Sequence, residues 1–120
     1  MQPEGHDAAY LWDMVEAARE IRGFVKGIAA REFLRNRMIQ MAVERAVEII
    51  GEAARHVSDS FKQDHPEIPW RKIVAQRHVL AHEYGDIKQD RMWDIATKYA
   101  PELIAQLEPL MPPLPPEVEG

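Results

Sequence analysis

Residues 30–57, with the sequence AREFLRNRMIQMAVERAVEIIGEAARHV, decide the fold class of this chain. Their apolar side chains recur at three- and four-residue spacing, which is the period of one face of an α-helix. The predicted core face consists of Phe33, Leu34, Met38, Met41, Ala42, Val43, Ala46, Ile49, Ile50, Ala53 and Val57. Gly51 lies inside this helix, where it costs about 1 kcal/mol relative to alanine. Its simplest use there is to let another helix approach closely.

The segments on either side of this long helix also favour helical structure. A first helix is predicted over residues 7–26, with Asp7 as its cap and Gly27 closing its end. Residues 58–69 mix turn formers with Phe61, so one short helical turn and a loop are expected there. Strict apolar–polar alternation and hairpin dipeptides are absent, and no strand is predicted.

Two more helices complete the predicted all-α fold. The third spans residues 69–84, and the fourth spans residues 89–111 with an interruption at Pro101, because proline removes a helical hydrogen bond. Residues 1–111 are expected to form a single domain. A proline-rich, extended tail is expected over residues 112–120.

The composition excludes several classes of function. The 120 residues contain no cysteine, which removes disulfide frameworks, cysteine-ligated zinc fingers and thiol nucleophiles. The formal charge of −5 is unfavourable for coating a polyanion, although a local basic groove remains compatible with it. No apolar run approaches the roughly 18 residues of a membrane helix. The N-terminus lacks the basic and apolar parts of a secretory signal, so a soluble cytoplasmic protein is expected.

The third helix places a cation in an apolar stripe. On a helical wheel of about 100° per residue, Arg77 falls in the middle of this stripe, where a leucine would be expected. The stripe consists of Trp70, Ile73, Val74, Leu80, Ala81 and Tyr84. His78 and His82 fall on its flank, about 100° and 140° from Arg77. They are neighbours because they are four residues apart.

Two interpretations of Arg77 are open. The side chain could reach the surface or pair with an internal acid, for which Glu48 and Glu52 are candidates. Alternatively, this face could meet an anionic ligand or a second copy of the chain. An unpaired buried arginine is too costly to be accidental, so one of these must apply.

Arginine and histidine together can cleave RNA without a metal. Arginine offers a permanent charge and a fork that matches phosphate oxygens, and it would stabilise the transition state. An imidazole would activate the ribose 2′-hydroxyl or protonate the leaving oxygen, and a tyrosine could stack on a base. A metal held by His78 and His82 is a further possibility, for which the sequence offers no obvious third ligand.

The segment RHVLAHEY at residues 77–84 has the pattern Arg-x-x-x-x-His-x-Tyr. Further motifs are AVEIIGEAA at residues 46–54, Pro69-Trp70, and MWDI at residues 92–95 followed by Pro101. Together these motifs resemble HEPN-domain toxins of the HepT type over roughly residues 8–110. The residue after the motif arginine is usually asparagine or another small polar residue in this family, and here it is His78.

The resemblance implies a fold and an activity. It implies an up-and-down bundle of four to five helices that forms a homodimer, with two copies of the motif lining one cleft. The implied activity is metal-independent endoribonuclease cleavage of RNA, with transfer RNA as an expected target and no cofactor. Cleavage through the 2′-hydroxyl would leave a cyclic phosphate.

The resemblance also implies a role for each motif residue. Arg77 and His82 would be the catalytic pair, and His78 would support them. Tyr84 would accept AMP from an MntA-type nucleotidyltransferase antitoxin, which adds negative charge where substrate phosphate should bind. A rival hypothesis is a non-catalytic helical subunit that binds a nucleotide or a partner in the same cleft.

Two other sets of side chains permit simple predictions. The basic residues of the first two helices could guide RNA, but a solvated face offset by nearby acids is the preferred interpretation. These residues are Arg19, Arg22, Lys26, Arg31, Arg35, Arg37 and Arg45. The methionines Met14, Met38, Met41 and Met92 have core spacing and are predicted to pack inside.

Overall fold

The computed structural model describes residues 6–82 and 87–112, with the backbone alone for Ala81 and His82. Every regular element in these ranges is helical, which confirms the predicted all-α class. The elements are α1 (His6–Val25), α2 (Ala30–Phe33), α3 (Arg37–His56), α4 (Asp59–Asp64), α5 (Trp70–His82), α6 (Gln89–Asp94), a π-helical turn (Ile95–Tyr99), α7 (Ala100–Leu107) and a 3₁₀ turn (Glu108–Leu110).

The core is built around α1 and α3, which pack extensively against each other. α7 packs against α1, and α5 packs against α3. Apolar side chains from every one of these helices are buried, among them Leu11, Met14, Val43, Leu80 and Leu107. Burial of one apolar stripe per helix is the main source of stability in such a bundle.

α1 follows its prediction closely at both ends. It ends at Val25, and Gly27 adopts a left-handed φ of 77°, as expected of a glycine that closes a helix. The prediction of Asp7 as the cap is wrong: Asp7 lies inside the first turn, and its carboxylate accepts hydrogen bonds from the backbone N–H (2.8 Å) and hydroxyl (2.6 Å) of Ser58. Asp7 therefore ties α1 to the start of α4, a role that the sequence did not indicate.

The prediction of one continuous helix over residues 30–57 is wrong at its start. The helix ends at Phe33, and a new helix, α3, begins at Arg37 with Asn36 as its N-cap. The Asn36 side chain accepts a hydrogen bond from the Ile39 N–H at 3.0 Å. Gln40 is a buried polar residue that stabilises this break, because its side-chain amide donates to the Phe33 carbonyl at 3.0 Å.

This break also corrects the predicted core face. Leu34, Met38 and Met41 are exposed, Met38 to 81%, so their assignment to the core is wrong. Because a new helix starts after Asn36, the apolar residues before and after this interruption do not lie on one continuous helical face. Met14 and Met92 are buried, as predicted.

The interruption predicted at Pro101 is present and begins earlier than expected. Residues 95–99 form a π-helical turn in which the Ala100 N–H donates to the Ile95 carbonyl, five residues back. Pro101 then occupies the first turn of α7, where its missing N–H costs nothing. Within the described ranges, no helix combines the length and apolar character that crossing a membrane requires. Most of the predicted tail, residues 113–120, lies outside the described residues.

Candidate functional site

The contact between α3 and α5 positions the arginine of the motif. A Cβ atom added at Gly51 would lie 2.1 Å from the Arg77 Cβ and 3.1 Å from the Ile73 carbonyl oxygen. Only a residue without a side chain fits at such a separation. The prediction that this glycine allows a close helix approach is confirmed, and the helix it admits is the one that carries Arg77.

Arg77 is half-buried and paired with an acid from α3. Its Nη2 lies 3.2 Å from the Glu52 Oε2, and 32% of its side chain is exposed. Of the two predicted partners, Glu52 is therefore the one observed, whereas Glu48 lies 4.0 Å from Arg45. About a third of the Arg77 side chain therefore stays open to solvent.

Glu52 is the centre of a small charge network. Its Oε1 accepts from the Arg55 Nη2 at 3.0 Å and lies 3.2 Å from the His56 Nε2. The hydrogen bond from Arg55 is the main cause that lowers the pKa of Glu52; desolvation opposes it, and the hydrogen bond from His56 and the charges of Arg55 and Arg77 add to the lowering. The Glu52 Oε2 is buried and receives no well-directed hydrogen bond, so its contact with Arg77 is an ion pair.

His78 lies one residue beyond Arg77 on α5 and is exposed. It lines an open groove together with residues of α3, α4 and α5. This placement agrees with its predicted position on the flank of the apolar stripe.

The other two motif residues are described less completely. His82 is the last residue of α5, so its backbone lies about 7.5 Å along the helix axis from that of Arg77. The His82 side chain and all of Tyr84 lie outside the described residues. The catalytic pairing of Arg77 with His82 and the modification of Tyr84 stay predictions.

Three of the seven basic residues named from the sequence, Arg19, Arg37 and Arg45, form ion pairs with acids. Arg19 pairs with Glu108, and Arg37 pairs with Glu44 at 2.8 Å. These ion pairs agree with the preferred interpretation of a solvated face. Among the described side chains, no three His, Cys, Asp or Glu residues gather in a way that could hold a metal.

Sequence reasoning missed the cations that accompany His78 in the groove, namely Arg55, Lys62 and Arg71. A signal was present for Arg71, because α5 contains no acidic residue although the chain as a whole is acidic. The gathering of residues from three elements could not be read from the sequence.

An all-helical bundle with a half-buried arginine on the HEPN motif defines the class of this protein, and comparison with known proteins agrees. The chain belongs to the HepT-like ribonuclease family: the family described as "Ribonuclease HepT-like" matches residues 14–110. The resemblance noted from the motifs is thereby confirmed.

Several relatives align over most of their own length. A "putative RNase" of Methanocaldococcus jannaschii is 38% identical over 100 residues, covering 83% of this chain and 92% of the relative. A "probable ribonuclease HepT" of Thermococcus cleftensis is 39% identical over 101 residues, covering 84% and 92%. A "putative RNase" of Caldanaerobacter subterraneus is 30% identical over 102 residues, covering 85% and 91%. No solved structure matches the chain significantly.

Proposed function

We propose that this chain is a metal-independent endoribonuclease and the toxin of a toxin–antitoxin pair. The observation that carries the proposal is the placement of Arg77 in a chain of the HepT-like family. Arg77 pairs with Glu52, its helix packs directly against Gly51, and its side chain remains partly exposed. A guanidinium fixed in this way is suited to phosphate, because its fork matches two phosphate oxygens.

The cleavage uses the ribose of the substrate as the nucleophile. An imidazole accepts the proton of the 2′-hydroxyl, and the 2′-oxygen attacks the adjacent phosphorus. The bond to the 5′-oxygen breaks, and that oxygen takes up a proton, which leaves a 2′,3′-cyclic phosphate and a 5′-hydroxyl. Arg77 stabilises the charge of the transition state, and His82 transfers protons. In the proposed homodimer, a second copy of the motif supplies a second imidazole.

Cleavage in the presence of EDTA tests the activity. The wild type is expected to cut a mixture of transfer RNAs, and Arg77→Ala and His82→Ala are each expected to lower the rate by at least about a hundredfold. Arg22→Ala removes an exposed arginine from α1 and should cleave as the wild type does. Cleavage that survives in both motif variants would contradict the assignment.

The rival hypothesis predicts a different result. A non-catalytic subunit would bind a nucleotide or a partner through the same surface and cleave no RNA under any condition. Absence of cleavage by the wild type, together with nucleotide binding that Arg77→Ala abolishes, would favour this second function.

Neutralisation by AMP transfer is the regulatory part of the proposal. A partner of the MntA nucleotidyltransferase type would attach AMP to the Tyr84 hydroxyl, with pyrophosphate leaving from ATP. Incubation with the nucleotidyltransferase and ATP should add the mass of AMP to the peptide that contains Tyr84 and suppress cleavage. Tyr84→Phe should remain unmodified, whereas label on Tyr10 or Tyr99 would refute the assignment.

A further inference from the structure

A groove beside the motif is surrounded by cations from three elements. Arg55 lies at the end of α3, Lys62 lies on α4, and Arg71 lies at the start of α5. The groove has a volume of about 640 Å³, and none of the described residues that line it is acidic. A local basic surface of this kind stands out in a chain with a formal charge of −5.

Two of these cations are not neutralised by neighbouring acids. Lys62 and Arg71 form no ion pair with a carboxylate in the described part of the chain, and the control cations Arg22 and Lys26 are unpaired in the same way. The Lys62 ammonium instead lies 5.9 Å from the centre of the Trp70 ring. The charges are therefore available to an anion, and the matching ligand is a phosphate backbone.

The floor of the groove is apolar. Val74 is partly exposed, Val79 is 36% exposed, and both belong to the side of α5 that faces the groove. An apolar floor with a cationic rim suits a ligand that carries both flat apolar rings and phosphates. Bases in a duplex are stacked inside the helix, so a single strand is the form of RNA that can present them.

The groove lies close to the arginine of the motif, which does not itself line it. His78 lines the groove and is the residue after Arg77. Arg55 also lines it, and its guanidinium is linked to Arg77 through the two carboxylate oxygens of Glu52, at 3.0 Å and 3.2 Å. A strand held in the groove would therefore pass next to Arg77.

We propose that this groove, defined by Arg55, Lys62, Arg71, Val74, His78 and Val79, binds a single-stranded segment of RNA and guides it to Arg77. The cations contact successive phosphates, and the apolar floor receives an unstacked base. The identification of the ligand as RNA rests on the proposed function, while the charge and shape of the groove do not depend on it.

A second hollow next to the groove strengthens the choice of RNA over a second copy of this chain. This smaller hollow, of about 450 Å³, adjoins the groove at Ala75 and Val79 and contains the cations Lys72 of α5 and Lys88 and Arg91 at the start of α6. Cations from α3, α4, α5 and the start of α6 therefore lie on both sides of Val79. If a second copy of the chain packed against this face across a twofold axis, the cations of one copy would face those of the other. Such a contact is unfavourable unless a polyanion lies between them.

A binding measurement with uncleavable RNA tests the proposal. The probe is a fluorescent 2′-O-methyl single strand, which lacks the free 2′-hydroxyl needed for cleavage. The double variant Lys62→Ala/Arg71→Ala should bind it about tenfold more weakly, and its salt slope should fall by about 1.4, since each lost phosphate contact on a single strand removes about 0.7. A duplex of the same length should bind more weakly than the single strand.

The matched control removes two exposed cations elsewhere. Arg22→Ala/Lys26→Ala changes the net charge equally but acts at the end of α1, away from the groove. It should retain the affinity and salt slope of the wild type. An equal loss in both double variants would mean that net charge alone governs binding, and this would overturn the proposal.

A second pair of variants separates charge from shape and is expected to preserve the fold. Ala75 is exposed on α5 and lines the groove. Ala75→Glu and Ala75→Gln introduce side chains of nearly equal size that are both compatible with a helix. Glutamate should weaken binding several-fold more than glutamine does, and equal effects would contradict the proposal.

The remaining outcomes also decide the matter. If the groove variants change the mass of the protein in solution and leave RNA affinity intact, the groove is a protein interface and the proposal fails. It also fails if the wild type does not bind the probe. If the wild type binds the probe through the groove but cleaves no natural RNA, the groove assignment holds and the proposed nuclease activity is contradicted.

Discussion

At the scale of single residues, the position of Arg77 depends on Gly51, because the Gly51 backbone lies directly against the Arg77 Cβ. Gly51→Ala should force α5 away from α3, at a cost of about 1–3 kcal/mol in the free energy of unfolding, as is typical of overpacking. It should also reduce RNA cleavage by at least about tenfold, since Arg77 would move with its helix. Urea denaturation and a cleavage assay measure the two effects.

Gly23→Ala is the matched control, because an added Cβ at that position meets nothing within 4 Å. Gly23 lies inside α1, so alanine there should stabilise the protein by up to about 1 kcal/mol and leave cleavage unchanged. Equal destabilisation by the two substitutions would show that the α3–α5 contact is not the cause.

Glu52 provides a prediction about acid sensitivity. Its pKa is lowered from 4.5, mainly by the hydrogen bond from Arg55. A carboxylate whose pKa is lower in the folded state stabilises the protein fully above its unfolded pKa, and this contribution is lost as the pH falls through the lower value. Glu52→Gln should therefore be less stable than the wild type near neutral pH, and the difference should shrink in acid.

Thermal melts between about pH 7 and about pH 3 measure this effect. Glu20→Gln removes an exposed carboxylate on α1, outside the charge network, and serves as the control for the loss of one negative charge. A Glu52→Gln variant whose deficit is the same at every pH would contradict the role of the charge network.

At the scale of elements, the break between α2 and α3 decides which methionines are buried. Met14 on α1 is fully buried, whereas Met38 in the first turn of α3 is 81% exposed. Met14→Ala should cost about 2–5 kcal/mol through the cavity it leaves. Met38→Ala should change the free energy of unfolding by less than about 0.5 kcal/mol, although the apolar spacing of the sequence assigned both methionines to the core.

Denaturant titration of both variants checks this pair. A large loss of stability in Met38→Ala would mean that the side chain is covered in solution. Such a result would have to be accompanied by a dependence of stability on protein concentration, because a second chain would be doing the covering.

At the scale of the whole molecule, the proposed homodimer makes a geometric prediction. The chain contains no cysteine, so a single introduced thiol can be labelled selectively. The protein should sediment at twice the 13.8 kDa mass of the chain. If two motifs share one cleft, spin labels on His78→Cys should lie closer together than 23 Å, the smallest dimension of one protomer.

Labels on Met38→Cys, on the exposed part of α3, should give a longer distance and serve as the comparison. Pulsed electron paramagnetic resonance measures both. A monomeric protein, or a His78 distance longer than the Met38 distance, would contradict a shared cleft.

Local patterns determined much of this protein. The helical class, the extent of α1 and the position of α5 follow from apolar spacing, because a helix is specified by residues three and four apart. Gly51 and the misplaced cation at position 77 also stood out in the sequence, and Glu52 was one of two acids predicted to pair with it. A helical wheel can identify such conflicts because it requires no knowledge of distant residues.

The tertiary structure decided what depends on distant contacts. The spacing of apolar residues continued through residue 36 and gave no sign of the interruption between α2 and α3, which Asn36 and Gln40 stabilise. Because of this interruption, Met38 is exposed. The groove required α4 to fold beside α5, because Arg55, Lys62 and Arg71 come from three elements. Such a cluster is set by how helices pack on one another, whereas sequence periodicity specifies only which face of each helix is buried.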